Sequence, residues 1–213
     1  MTKILPGVLA MAIVVVASNI LVQFFVGDWL TWGAFTYPIA FLVTDVTNRL
    51  YGSQTARKVV FVGFVVGILC SLIGSQIDVN LGTADDPFLA PAVTLRVAIG
   101  SGIAFLTAQL LDVAIFSKLR DSQWWRAPLA SSFVGSAVDT TLFFTISFSA
   151  GAVGLLGADH NTDFFNEIVA TPFGFDVTRW VGTAFVDWLV KITIALIALI
   201  PFRLIVGRMQ RID

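Results

Sequence analysis

The sequence predicts an all-α integral membrane protein, a bundle of six transmembrane helices in a single domain spanning residues 1–213, with both termini on the cytoplasmic side. Three observations carry that expectation. Of 213 residues, 57% are hydrophobic and only 13% are charged, too little charge to cover the surface of a water-soluble domain. Runs such as Pro6 to Val26, Val59 to Ile77 and Ile192 to Val206 are long enough to cross a hydrocarbon core of about 30 Å at about 1.5 Å per helical residue. Basic and acidic residues collect at alternate ends of these runs, the pattern that sets orientation in a membrane. Barrel strands would be about half as long and alternating, whereas helices satisfy every backbone amide within their own segment.

The spans are expected near residues 5–26, 32–51, 56–77, 92–117, 127–156 and 177–206. The first resembles a signal peptide, with Lys3 before an apolar run. The run is too long, though, and lacks an evident small-residue cleavage site, so it is read as a retained helix. In the second, Tyr37 and Pro38 interrupt the helical pattern and predict a kink or break. The third carries Gly63 and Gly67, one GxxxG that permits close helix approach, within the molecule or at a homodimer seam. It also carries the single cysteine, Cys70, read as an apolar packing residue. Lys3, then Arg49, Arg57 and Lys58, then Lys118, Arg120 and Arg126, then Arg203, Arg208 and Arg211 mark the cytoplasmic ends. Asp28, then Asp78, Asp85 and Asp86, then Asp159, Asp163, Glu167 and Asp176 mark the outer connections. Trp29, Trp32, Trp124, Trp125 and Trp180 fall near span ends, where indoles favour the headgroup level.

No connection approaches the roughly 50 residues of a small soluble domain, and no Gly-rich phosphate loop is present. The chain is therefore not itself an ATPase. His/Glu and Cys spacings of a zinc site are missing, and the single histidine, His160, sits in an acidic outer loop as a solvated residue. No metal, cofactor, catalysis or nucleic-acid partner is expected; the partners are the lipid bilayer and a small molecule.

Ionisable groups inside spans are the most informative residues, since each costs at least about 2.5–3.5 kcal/mol at a helix centre and so faces an interior or a water-filled cavity. They are Asp45, Arg96, Asp112, Asp139, Asp187 and Lys191. Asp139 lies about twelve residues into the fifth span, some 18 Å deep, and requires a partner or a ligand. Asp45 with Arg49, and Asp187 with Lys191, stand four apart and can pair on one helix face. Asn19 and Gln23 share a face of the first helix, while Gln109 and Asp112 are three apart on the fourth. Acids, amides and rings such as Tyr37, Phe41, Phe143, Phe144 and Trp188 suit a planar, hydrogen-bonding heterocycle better than an inorganic ion. The pattern points to movement of a small polar molecule across a bacterial inner membrane. Three helices per half would place residues 1–78 and 92–206 in opposite orientations, a 3+3 inverted repeat with Asp45 and Asp139 in the two middle helices.

The string TYPIAFLVTDVTNRLYG from Thr36 to Gly52, followed by Ala56-Arg57-Lys58, resembles the signature of the queuosine precursor transporters, also called vitamin uptake transporters. AQLLDVAIFSKLR from Ala108, the basic loop with Trp124 and Trp125, VGSAVDTTLFF from Val134 and DWLVKITIALIALIPFR from Asp187 resemble later blocks of that family in the family's order. The resemblance covers nearly the whole chain. It implies a six-helix inner-membrane importer of 7-cyano-7-deazaguanine and its aminomethyl counterpart. It also implies Asp139 and Asp112 with Gln109 as substrate contacts, and Asp45, Asn48 and Arg49 as a polar cluster at the inner end of the second helix. Tyr37, Phe143, Asn19 and Gln23 complete the expected substrate-binding set, with Asp187 and Lys191 as a polar pair in the last helix. Residues 157–176 depart from the family pattern. An alternative reading is a membrane substrate-binding subunit of an ATP-energised vitamin or nucleobase uptake system.

Overall fold

A computed structural model describes residues 4–21, 24–27, 29–80, 86–171, 174 and 176–209; of Asn19 and Phe25 only the backbone is described. Lys3, Gln23, Asp28, Asp85 and Arg211, and the side chain of Asn19, therefore lie outside the described residues.

Helix α1, Leu5–Leu21, is an apolar helix of 17 residues, about 26 Å long. A two-stranded hairpin, β1 (Phe25–Val26) with β2 (Leu30–Thr31), turns the chain back. The interruption at Pro38 splits the next segment into α2, Gly33–Thr36, and α3, Pro38–Tyr51. Proline supplies no N–H to the ladder, which accounts for the split. Tyr37 itself nonetheless keeps helical dihedrals, φ −58 and ψ −38. A single residue, Gly52, joins α3 to α4 (Ser53–Gly74), at φ 84 and ψ 167, a left-handed backbone that glycine adopts without a Cβ clash.

A second hairpin, β3 (Asp78–Asn80) with β4 (Leu89–Pro91), leads to α5, Leu95–Leu119. Thr94 caps this helix by accepting from the Val97 N–H at 3.3 Å. Helix α6 runs over Arg126–Phe148, eight residues short of the expected end at 156. Ser149 turns extended, a 3-10 turn covers Ala150–Ala152, and a short α7, Val153–Leu156, follows. The stop has two local causes. Asn166 accepts from the Ala150 N–H and donates to the Phe148 carbonyl, both at 2.8 Å. Arg96 donates to the Ser149 carbonyl at 2.6 Å, a cation at the negative end of the helix. After α8 (Thr162–Asn166) and a third hairpin, β5 (Ile168–Ala170) with β6 (Asp176–Thr178), the 31-residue α9 spans Arg179–Met209.

Among the described residues, α4, α5, α6 and α9 are long and apolar enough to cross a membrane. The molecule is inside out relative to a water-soluble domain. Ile13 is 68% and Ile200 65% exposed, whereas Gln109 and Asp112 are fully buried and Arg96 nearly so. That arrangement fits a protein whose outer solvent is hydrocarbon. The two ends differ as well. One gathers the start of α1, where Gly7 sits against Thr47, the end of α3, residues 120–125 and the end of α9, where Arg203 lies 4.8 Å from the Trp124 ring. Among the described residues, it holds most of the basic ones. The other carries the three hairpins, small β elements in connections that the sequence marks only as loops.

Close helix approach rests on missing Cβ atoms. A Cβ at Gly63 would stand 2.6 Å from Met11 Cγ, and one at Gly100 would stand 2.2 Å from Ser147 Oγ. Gly63 thus packs α4 against α1 inside the molecule, and Gly100 packs α5 against α6.

Candidate functional site

In the half nearer the hairpins, the helices line a partly open cavity. Its polar wall is made by Asp139 on α6, Asp187 and Lys191 on α9, and Tyr37 at the α2–α3 break; Phe64, Phe105, Phe143 and Phe144 supply aromatic surface. The remaining lining is small, with Gly33, Gly63 and Gly67 among it. The second glycine of the GxxxG, Gly67, thus lines the cavity.

The three charges form one unit. Lys191 Nζ donates to Asp139 Oδ2 at 2.9 Å, Asp187 Oδ2 at 2.6 Å and the Thr140 hydroxyl at 3.0 Å. Thr140 in turn donates to Asp187 Oδ2 at 2.8 Å. The Tyr37 hydroxyl donates to Asp139 Oδ1 at 2.8 Å, and its ring lies 5.1 Å from Lys191 Nζ. The i, i+4 spacing on α9 places Asp187 and Lys191 on one face. Asp139 reaches them from the neighbouring helix. Two carboxylates against one ammonium leave the group with a net negative charge, and the carboxylates keep lone pairs that can accept from a ligand. A buried ion pair persists when its hydrogens and lone pairs are satisfied, a condition that Tyr37 and Thr140 help to meet.

A second polar band lies deeper, toward the basic end. Thr44 donates to Gln109 Oε1 at 2.6 Å. Asn48 donates to the Val113 carbonyl and to Ser117 Oγ, both at 3.2 Å. Ser131 and Ser132 donate to the two oxygens of Asp45 at 3.2 and 3.3 Å. Asp112 faces Asp45 and Ser131. Arg49 donates to the Arg120 carbonyl, and Arg120 donates to the Arg49 carbonyl at 2.6 Å. Each guanidinium thereby caps carbonyls at the other helix's C-terminal end.

The structure thus divides the expected site residues in two. Asp139, Tyr37, Phe143, Asp187 and Lys191 meet at the cavity. Asp45, Asn48, Arg49, Gln109 and Asp112 form the deeper band and do not line it. The spacing of Asp45 and Arg49 allows a pair, but Arg49 is drawn to a helix-end carbonyl and Asp45 to two serines of α6. Phe144 lines the cavity, Phe41 packs behind it 6.1 Å from Tyr37, and Trp188 rests on Phe133 at 5.3 Å. Thr44, Ser131, Ser132 and Thr140 were not expected from the sequence. Their signal is a run of hydroxyls sharing helical faces with buried acids, as Ser132, Ser136 and Thr140 do along α6.

One geometric relation links the halves. Asp45 accepts from Ser131, and Asp139 accepts from Tyr37. The sequence step from Tyr37 to Ser131 equals the step from Asp45 to Asp139, so the two contacts exchange when the middle helices are interchanged.

Residues 31–206 match the family model described as "Putative vitamin uptake transporter". The chain belongs to the vitamin uptake transporter family. The transporter is 32% identical over 195 residues to the "Queuosine precursor transporter" of Escherichia coli (strain K12), covering 89% of this chain and 79% of that one. It is 35% identical over 180 residues to the "Probable queuosine precursor transporter" of Haemophilus influenzae, covering 80% of this chain and 66% of the relative. A Bacillus subtilis relative with the same description is 30% identical over 139 residues, 61% of this chain and 59% of that one. No solved structure matches. Family membership and the exposed apolar helices make the protein a multi-pass membrane transporter.

Proposed function

We propose that this transporter imports queuosine precursors, 7-cyano-7-deazaguanine and its aminomethyl counterpart, across the bacterial inner membrane without an attached ATPase. The carrying observation is Asp139, a carboxylate on the wall of an aromatic cavity and oriented by Lys191 and Tyr37. A deazaguanine offers ring and amino N–H donors to such a carboxylate and two faces to the surrounding rings. The aminomethyl compound adds a cation suited to the net negative charge of the group. The printed descriptions of the relatives support the same substrate class.

Import then proceeds by alternating access in a six-span topology, with α1, the α2–α3 pair, α4, α5, α6 and α9 as spans and the basic end in the cytoplasm. A 3+3 inverted repeat is supported by the exchange of the Asp45–Ser131 and Asp139–Tyr37 contacts. The cavity belongs to the outward-facing half, and the deeper polar band closes the inward one. The test is uptake by the purified chain alone in proteoliposomes. Wild type takes up a deazaguanine, and Asp139→Asn abolishes uptake while the protein remains folded in detergent. Undiminished uptake by that variant would remove Asp139 from the site.

A further inference from the structure

Asp45 on α3 and Asp112 on α5 face each other in the closed half of the bundle, 2% and 0% exposed. Asp45 is supplied with donors by Ser131 and Ser132. Asp112 is not: neither carboxyl oxygen has a hydrogen-bond partner among the described residues, and both are buried. An ionised carboxylate left without donors in a hydrocarbon interior is strongly disfavoured. Ser131 also faces Asp112, but its single hydroxyl hydrogen is claimed by Asp45 at 3.2 Å and the Pro128 carbonyl at 3.3 Å. Of the two side chains that face Asp112, only Asp45 is left to bond it, since the Gln109 amide has no hydrogen-bond contact with it, and two carboxyl groups bond to each other only when one of them carries a proton.

No cation among the described residues relieves the pair. Arg49 on α3 is bound to the Arg120 carbonyl, Arg96 on α5 to the Ser149 carbonyl, and Lys191 on α9 has all three hydrogens engaged beside Asp139 and Asp187. Arg57 and Lys58 on α4, Lys118 on α5, Arg126 on α6, and Arg203 and Arg208 on α9 are exposed, and Arg179 pairs with Glu167. A metal ion would seek a shell of oxygens, whereas a proton needs only these two groups. No cluster of three or more His, Cys, Asp or Glu suited to a metal occurs among the described residues.

We propose that Asp45 and Asp112 hold a single proton between them, and that its release toward the basic end drives α3 from α5 and opens that half of the bundle. The same two helices are tied there by Thr44 to Gln109 and by Asn48 to the Val113 carbonyl, so repulsion between two bare carboxylates acts directly on this seam. Import is thereby coupled to the proton gradient. The coupling rests on the import reading above; the protonated pair does not.

Two measurements on the full chain in lipid test it. The infrared carbonyl band of a protonated carboxyl is expected at neutral pH in wild type, lost in Asp112→Asn, where Asp45 keeps its two serine donors, and moved from its wild-type position in Asp45→Asn, where the Asp112 carboxyl meets an amide instead of a carboxylate. Each variant must first elute as a folded species, and either one alone decides the point. A spectrum in which neither variant removes or moves a band overturns the shared proton. In proteoliposomes, one proton per substrate raises the steady-state accumulation of a deazaguanine about tenfold per pH unit of gradient, and Asp112→Asn abolishes that dependence. Accumulation that ignores the pH gradient, or follows sodium instead, overturns the coupling. Absence of any deazaguanine binding or uptake by wild type would sink the import reading and the coupling together, while the infrared result still decides the proton.

Discussion

Lys191 carries three hydrogens, and the bundle provides an acceptor for each, two of them carboxylates. Removing the ammonium strands Asp139 and Asp187 side by side. Lys191→Met is expected to lower stability by about 3–5 kcal/mol, the cost of unpairing a buried charge, read as a lower melting temperature in detergent. Adding Asp187→Asn should recover part of the loss, and a double-mutant cycle measures the coupling. The spacing of Asp187 and Lys191 is legible in the sequence because four residues make one helical turn. The depth of Asp139 is legible too, and so is its need for a partner. That the partner is Lys191, 52 positions away, is not, since it depends on how α6 and α9 cross. Asp45 misleads for the same reason: local spacing offers Arg49, but the packing of α3 on α6 delivers Ser131 and Ser132 instead.

The long apolar stretches declare themselves through composition, so α4, α5 and α9 lie close to the expected spans. Ends set by side chains from elsewhere do not. The run through residue 156 remains apolar, yet α6 stops at Phe148 because Arg96 and Asn166 take its last carbonyls. The three hairpins leave no mark in the sequence pattern because strands of two or three residues have no periodicity to read. Two glycines fix how elements meet. Gly52→Ala must force an alanine into a positive-φ, extended-ψ backbone that is essentially reserved for glycine, at about 1–3 kcal/mol. Gly100→Leu must push α6 away from α5, and so is expected to depress the detergent melting temperature further than Gly52→Ala does. Equal or smaller loss at Gly100 would contradict the close packing seen at Ser147.

As a body in lipid, the transporter keeps its polar residues inside and presents its apolar ones outward. The proposed orientation makes a direct prediction for intact cells in a Cys70→Ser background. A cysteine at Asp78 is labelled by a membrane-impermeant maleimide, and one at Ser122 is labelled only after permeabilisation; the reverse pattern would invert the topology. That the chain is a helical membrane protein was legible because hydropathy reports on the solvent outside each helix. The cavity was not, because it exists only where Tyr37, Asp139 and Lys191 converge from separate elements. The one-residue joint at Gly52 leaves α3 and α4 no slack. A swing of α3 is therefore handed to α4 as across a stiff elbow, and Gly63, seated on Met11, passes it on to α1. Helices α1, α3 and α4 would then turn as one lever.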